Sequence, residues 1–180
     1  MLSHIVEREM ALPAAEILDV IRRSDRCYQI VRGYVAERHL EHLLERLKAD
    51  GKVDSFTYVN VDGRPDFEVV RRGYVKTVEC KNVLRGFGYS NGDHKVDFQR
   101  TRNQLGGGAR TGRFYKVADF DILAACEFNR TGRWEFKFVR TAELPKVFVD
   151  GVECLVKAVR VPPVTSGTPW VVDLTELLSD

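Results

Sequence analysis

The chain has 180 residues, a formal net charge of +2, and 44% hydrophobic against 30% charged residues. That is the length and balance of one ordinary globular domain with a sizeable core. It excludes a disordered chain and a uniformly basic coat for nucleic acid, so any nucleic-acid site has to come from local clustering of charge. Cys27, Cys80, Cys126 and Cys154 stand far apart without a Cys-x-x-Cys pair, which points to reduced thiols in a cytoplasmic protein rather than a zinc site or a disulfide frame. No apolar run nears the ~20 residues that cross a bilayer. Met1 to Met10 carry Glu7, Arg8 and Glu9 in place of a signal-peptide core.

Residues 1–30 read as helical. Pro13 suits a first turn, Ala14, Ile17, Leu18 and Ile21 repeat at helical spacing, and Arg22, Arg23 and Arg26 lie near the end, where the helix dipole favours cations. This is a capping helix with a solvated basic end, or an element that contacts DNA. A second helix is expected between Gly33 and Gly51, with Ala36, Leu40, Leu43, Leu44 and Leu47 as its apolar stripe. Glu37 lies on the shoulder of that stripe, Glu41 further out, and Glu45 on the opposite side. A shoulder carboxylate can reach a neighbouring sheet, or can pair at the surface with Arg38 or Lys48. His39 and His42 lie one turn apart with no third ligand in pattern, which reads as an exposed polar face.

Three strands are expected next, over residues 53–61, 65–71 and 74–81, with Asp62-Gly63 and Arg71-Arg72-Gly73 as the connections. Strand side chains alternate faces. Thr77, Glu79 and Lys81 therefore share one face and Cys80 takes the other, while Asp66 begins the preceding strand. Two carboxylates and a lysine are what a phosphodiester hydrolase needs. Mg²⁺ prefers oxygen donors and takes one or two protein carboxylates, and a lysine stabilises phosphoryl charge or orients the attacking water. The plainer readings are a Glu79–Lys81 ion pair or a solvated strand face.

Pro65-Asp66, twelve intervening residues, then Glu79-Cys80-Lys81 resembles the PD-(D/E)xK nuclease superfamily of restriction-endonuclease-like proteins. The resemblance covers roughly residues 30–140, because a glutamate-bearing helix precedes the motif and a polar helix and further strands follow it. It implies an α/β (α+β) fold, a three-layer sandwich with a central mixed β-sheet flanked by helices. It also implies that Asp66, Glu79 and the Cys80 backbone carbonyl hold Mg²⁺, for which Mn²⁺ can substitute, and that Lys81 positions or activates water. Glu37 on the first helix assists the metal or its waters.

Asn82 to Asp93, with three glycines and two aromatics, is expected to be a loop at the mouth of the site. Lys95 to Leu105 reads as a helix, on which the resemblance makes Gln99 a further site residue. Gly106 to Arg113 is a basic, glycine-rich loop that lacks nucleotide-binding order. Lys95, Arg100, Arg102, Arg110, Arg113 and Lys116 stand against Asp97 alone. This is the densest basic segment of the chain and the expected footprint for a phosphate backbone.

Phe120 to Cys126 is nearly continuous in apolar residues, as a strand buried on both faces should be. Arg133 to Val139 alternates, with Asn129 to Gly132 turning between the two. Asp119 and Asp121 suit a strand start and a turn. Val147 to Val161 reads as a hairpin around Asp150-Gly151, and Trp170 to Leu178 as a short strand with a helical turn.

The expectation is one nuclease domain over 1–180: a helical region 1–30, a catalytic core 31–140, and a hairpin and tail 141–180. Its function is Mg²⁺-dependent cleavage of duplex DNA, as a type II restriction endonuclease acting as a homodimer, since two equivalent sites match two strands. No membrane is involved, and a cognate methyltransferase acting separately is a partner the residues leave open. The alternatives are a structure-selective or repair nuclease, a non-catalytic DNA-binding module, and an α/β interaction domain whose motif is coincidence.

Overall fold

The computed structural model describes residues 4–59, 61–86, 89, 92–98 and 114–179. It divides into two compact units, 1–35 and 36–180.

In the first unit, α1 (Ile5–Met10) starts with a reciprocal cap. The Val6 N–H donates to His4 Nδ1 at 3.2 Å, and the His4 N–H to Glu7 Oε2 at 2.8 Å. Glu7 Oε1 also accepts from the Ala14 N–H at 2.8 Å, which ties α1 to the start of α2 (Ala14–Arg23). No residue of α1 or α2 is buried.

The helix expected after Gly33 begins earlier. α3 runs Asp25–Ala49. Ser24 starts it, its hydroxyl accepting from the Cys27 N–H at 3.3 Å. Gly33 lies inside; a glycine costs about 1 kcal/mol there relative to alanine, too little to break a helix capped at one end and packed at the other.

The second unit is built on a five-stranded mixed sheet in the order β1-β2-β3-β5-β6. The strands are β1 (Ser55–Tyr58), β2 (Phe67–Arg71), β3 (Tyr74–Asn82), β5 (Ile122–Cys126) and β6 (Phe136–Arg140). All pairings are antiparallel except β3 with β5. One face is covered by the stripe Ala36, Leu40, Leu44 and Leu47 of α3, which packs on Phe67, Val69, Val78, Cys80, Ile122, Ala124 and Phe138. Each buried leucine or phenylalanine there contributes about 1.5–3 kcal/mol of transfer free energy. The other face carries Leu123, Ala125 and Val139 under Val96, Phe98, Leu155, Val159 and Val161.

Those covering residues come from β4 (His94–Asp97) paired with β9 (Ala158–Val161), and from the hairpin β7 (Lys146–Val149) with β8 (Val152–Leu155). So the described part of the helix expected over Lys95 to Leu105 is a strand. Lys95, Val96, Asp97 and Phe98 alternate with period two, and Val96 and Phe98 are the buried pair. The remainder, with Gln99, Arg100, Arg102 and the loop holding Arg110 and Arg113, lies outside the described residues.

β5 is buried at every position, as a doubly covered strand should be. The turn before β6 is a short helix, α4 (Phe128–Thr131), ended by Gly132 at φ 72°. At the start of the parallel pair, Thr77 and Asp121 clasp each other. The carboxylate of Asp121 accepts from the Thr77 N–H at 2.8 Å and from its hydroxyl at 2.9 Å. In return the Asp121 N–H donates to Thr77 Oγ1 at 2.9 Å and to its carbonyl at 3.1 Å. Among the described residues no helix is long and apolar enough to cross a membrane.

Candidate active site

β2 and β3 separate where Asp66 precedes Phe67, the first paired residue of β2. Pro65 cannot donate a ladder hydrogen bond, which suits this point of strand entry. The Asp66 carbonyl accepts from the Val59 N–H at 2.8 Å, pinning its backbone to the end of β1. Its side chain replaces the missing β2 partner of β3: Oδ2 accepts from the Cys80 N–H at 2.7 Å. A strand residue turns its N–H and C=O to the same edge, so the Cys80 carbonyl is directed to the Asp66 side of β3.

Glu79 and Lys81 share a face of β3, as the alternation requires. Lys81 Nζ lies 2.7 Å from Glu79 Oε1. The Tyr115 hydroxyl donates to the same oxygen, also at 2.7 Å. Glu79 is buried, while the Lys81 side chain keeps 28% of its surface exposed. The ion pair expected between Glu79 and Lys81 is present, with Tyr115 as a second donor to the same oxygen.

Glu37 approaches from α3. Arg38, its surface alternative, pairs instead with Glu41 and Glu45. The Tyr58 hydroxyl donates to Glu37 Oε2 at 2.9 Å, and the Tyr58 ring packs on Phe67 at 5.3 Å between centroids.

The electrostatics reflect crowding of carboxylates. Burial, then Glu79 and Glu37, push the Asp66 carboxyl up to about 8, against the pull of Lys81. Burial raises Glu37 as well, with Tyr58 and Lys81 opposing. Burial works against the charge on Lys81, yet Glu79, Tyr115 and Asp66 outweigh it and hold the ammonium protonated. Burial pushes the Cys80 thiol up, so this cysteine is a packing residue and no nucleophile.

Among the described residues no three Asp, Glu, His or Cys side chains close on a single point as a metal cage would. Mg²⁺ keeps most of its waters and takes only one or two protein carboxylates. The donor set fits: Asp66 and Glu79 supply hard oxygens with negative charge in excess of Lys81, and the Cys80 carbonyl is directed to the same edge. Glu37 stands one step further out.

Of the expected phosphate contacts, Lys95 lies in β4 opposite Arg160, and Lys116 is exposed just after Tyr115. Asp119 and Asp121 hold turns: Asp119 Oδ2 accepts from the Lys116 N–H at 2.9 Å, and Asp121 forms the clasp with Thr77. His39 is half-buried, with its ring stacked 4.4 Å from Trp134, where an exposed polar face was expected.

Two groups escaped the sequence reading. Tyr58 and Tyr115 lie far along the chain from their carboxylates, and no local spacing marks them. The second is a cluster in which Glu127 Oε1 lies 2.8 Å from His94 Nδ1 and Oε2 lies 3.2 Å from Lys137 Nζ. A cavity of about 570 Å³ opens beside that cluster, with His39, His42, Arg46, Trp134 and Lys137 in its wall, and it contains none of Asp66, Glu79 and Lys81.

No family model matches the chain, and no curated protein does. Among solved structures, that of a bacterial homing endonuclease, I-Ssp6803I, matches with a TM-score of 0.50 and 16% sequence identity, over 77% of this chain and 80% of that one. The fold is restriction-endonuclease-like. Asp66 lies just before β2 and Glu79-Cys80-Lys81 lies in β3, with the glutamate-bearing helix α3 packed on the sheet.

Proposed function

We propose that this chain is a metal-dependent endodeoxyribonuclease that hydrolyses phosphodiester bonds in duplex DNA. The observation that carries the reading is the meeting of Asp66, Glu79 and Lys81 where β2 and β3 part, with the Asp66 carboxylate bonded to the Cys80 N–H and Lys81 bonded to Glu79. Asp66, Glu79 and the Cys80 carbonyl hold Mg²⁺ or Mn²⁺. When bound, the ion supplies a Lewis acid that neutralises phosphoryl charge and makes water a better nucleophile. Lys81, kept protonated by its neighbours, donates to a phosphoryl oxygen and orients the attacking water. Glu37 assists the metal or its waters, Gln99 is a further residue of the reaction, and Lys95, Arg100, Arg102, Arg110, Arg113 and Lys116 take the phosphate backbone. Attack on phosphorus leaves a 5′-phosphate and a 3′-hydroxyl.

The finer reading is a type II restriction endonuclease, one 180-residue nuclease domain per subunit, working as a homodimer so that two sites meet two strands. A second reading, a homing-type endonuclease, is favoured by the structural likeness to I-Ssp6803I. The test is a digest of long, mixed-sequence duplex DNA with Mg²⁺ and with EDTA, beside Lys81→Ala. Discrete fragments that need Mg²⁺ and Lys81 support a sequence-specific nuclease, and their number measures the length of its site. Cleavage confined to branched or damaged DNA moves the chain to a structure-selective enzyme. DNA left intact in every form leaves a binding module.

A further inference from the structure

Tyr115 stands outside the Asp66…Glu79-x-Lys81 pattern, yet it touches both of the pattern's residues in β3, Glu79 and Lys81. Its hydroxyl donates to Glu79 Oε1 at 2.7 Å. Lys81 Nζ lies over its ring, 5.2 Å from the centroid. Glu79 Oε1 therefore takes two donors, one neutral and one charged. Among the described residues no hydrogen bond to Oε2 accompanies them.

The phenol is held there from three sides. Phe98 and Phe120 meet the ring edge-on, at 5.6 Å and 5.9 Å between centroids. The Tyr115 carbonyl accepts from the Leu155 N–H at 2.8 Å, and the next residue, Lys116, bridges Cys154. The hairpin β7–β8, to which the sequence attached no chemistry, thus fixes the backbone from which the phenol reaches Glu79. Phe98 fixes the ring from the other end of the basic segment.

We propose that Tyr115 is a positioning residue of the nuclease site, an inference that rests on the nuclease reading above. With Lys81 it occupies Oε1 of Glu79, fixes the plane of that carboxylate and reserves Oε2 for the divalent cation. Hydrogen-bond partners behind a ligating carboxylate orient it, and their removal typically lowers metal affinity by about 10–100-fold. Phenylalanine keeps the ring and its packing and deletes only the donor.

The experiment titrates Mn²⁺ alone into the full chain, read by the electron paramagnetic resonance of free Mn²⁺, for the wild type and Tyr115→Phe. The expected result is a dissociation constant raised about 10-fold in Tyr115→Phe. DNA cleavage by the variant falls at limiting Mn²⁺ and recovers at saturating Mn²⁺, with an unchanged KM for DNA. A folding defect would instead lower the metal-free melting temperature and would not be rescued by the ion, an outcome that counts against positioning. An unchanged Mn²⁺ constant in Tyr115→Phe overturns this inference alone. A wild-type chain that binds no Mn²⁺ and cuts no DNA overturns the nuclease reading, and the inference falls with it.

Discussion

Two carboxylate–lysine clusters share one face of the sheet. Lys81, Ala125 and Lys137 lie in a single cross-strand row, so the two lysines are separated by one strand. Each is bonded to a buried glutamate, Glu79 in the first case and Glu127 in the second. What surrounds the pairs differs. Around Glu79 and Lys81 stand Asp66, Glu37 and the neutral Tyr115, three carboxyl groups to one lysine, and the crowding pushes Asp66 and Glu37 up toward their protonated forms. Around Glu127 and Lys137 stand His94 and the Pro162 carbonyl, which accepts from Lys137 at 3.0 Å. The second cluster is complete in itself. The first crowds three carboxyl groups around one lysine at a point where a strand ladder ends. Two clusters of like composition thus differ in what their surroundings do to the carboxyl groups.

The sharpest way to break the comparison is to remove each lysine. Lys81→Ala is expected to lower kcat by about 10²–10³-fold, the usual cost of a lost donor to developing charge. Lys137→Ala should stay within a few-fold of the wild type. Equal losses in single-turnover cleavage assays would mean that both clusters serve the reaction.

Stability is expected to run the other way. Glu127→Ala leaves His94 and Lys137 without their shared carboxylate, and breaking such a buried pair costs about 3–5 kcal/mol. Denaturant unfolding of that variant should show the loss. A Glu127→Ala chain as stable as the wild type would make the second cluster solvent-like.

A smaller effect sharpens the charge imbalance itself. The Asp66 carboxyl is raised in the folded chain from 3.8 to about 8. A raised carboxyl means that the folded state binds the proton more tightly. Its stabilising contribution is therefore full below about pH 4 and is lost as pH rises toward 8. Metal-free wild type should lose stability across that window, and Asp66→Asn should not. At pH 8.5 in EDTA, the asparagine variant is expected to be the more stable by about 2 kcal/mol, with the full shift softened by water reaching the site. Mg²⁺ should restore the wild type and leave the variant unmoved. Parallel melting curves for both chains from pH 5 to 8.5 would remove the imbalance from the account.

Much of this was written in local pattern. The period-two alternation of Thr77 to Lys81 placed Glu79 and Lys81 on one face, and the leucine stripe of α3 placed Glu37 on its shoulder. The same rule was legible but misread at Lys95 to Phe98, where an alternating run too short to show its period passed for helix. The start of α3 was hidden because Ser24 caps through a single hydroxyl, while Gly33 offers a more conspicuous but false starting boundary. Tyr115 and Tyr58 could not be found this way. Each reaches its carboxylate across the fold, 36 and 21 residues along the chain, and no spacing rule links residues that meet only through sheet topology. His94, Glu127 and Lys137 likewise come from three separate elements.

The Thr77–Asp121 clasp has a bearing on how such a chain can evolve. It joins residues 44 apart and sets the register of β3 against β5 only two positions before Glu79. Because a parallel pair needs a long crossover in any case, the entropy of closing that connection rises only with the logarithm of its length, by about 0.6 kcal/mol for each doubling. Changes in the length of that crossover therefore add little closure entropy. Register, and with it the placement of the carboxylates, is secured downstream of them. The strand pair is thus held in place by its own clasp, whatever the length of the chain that joins it.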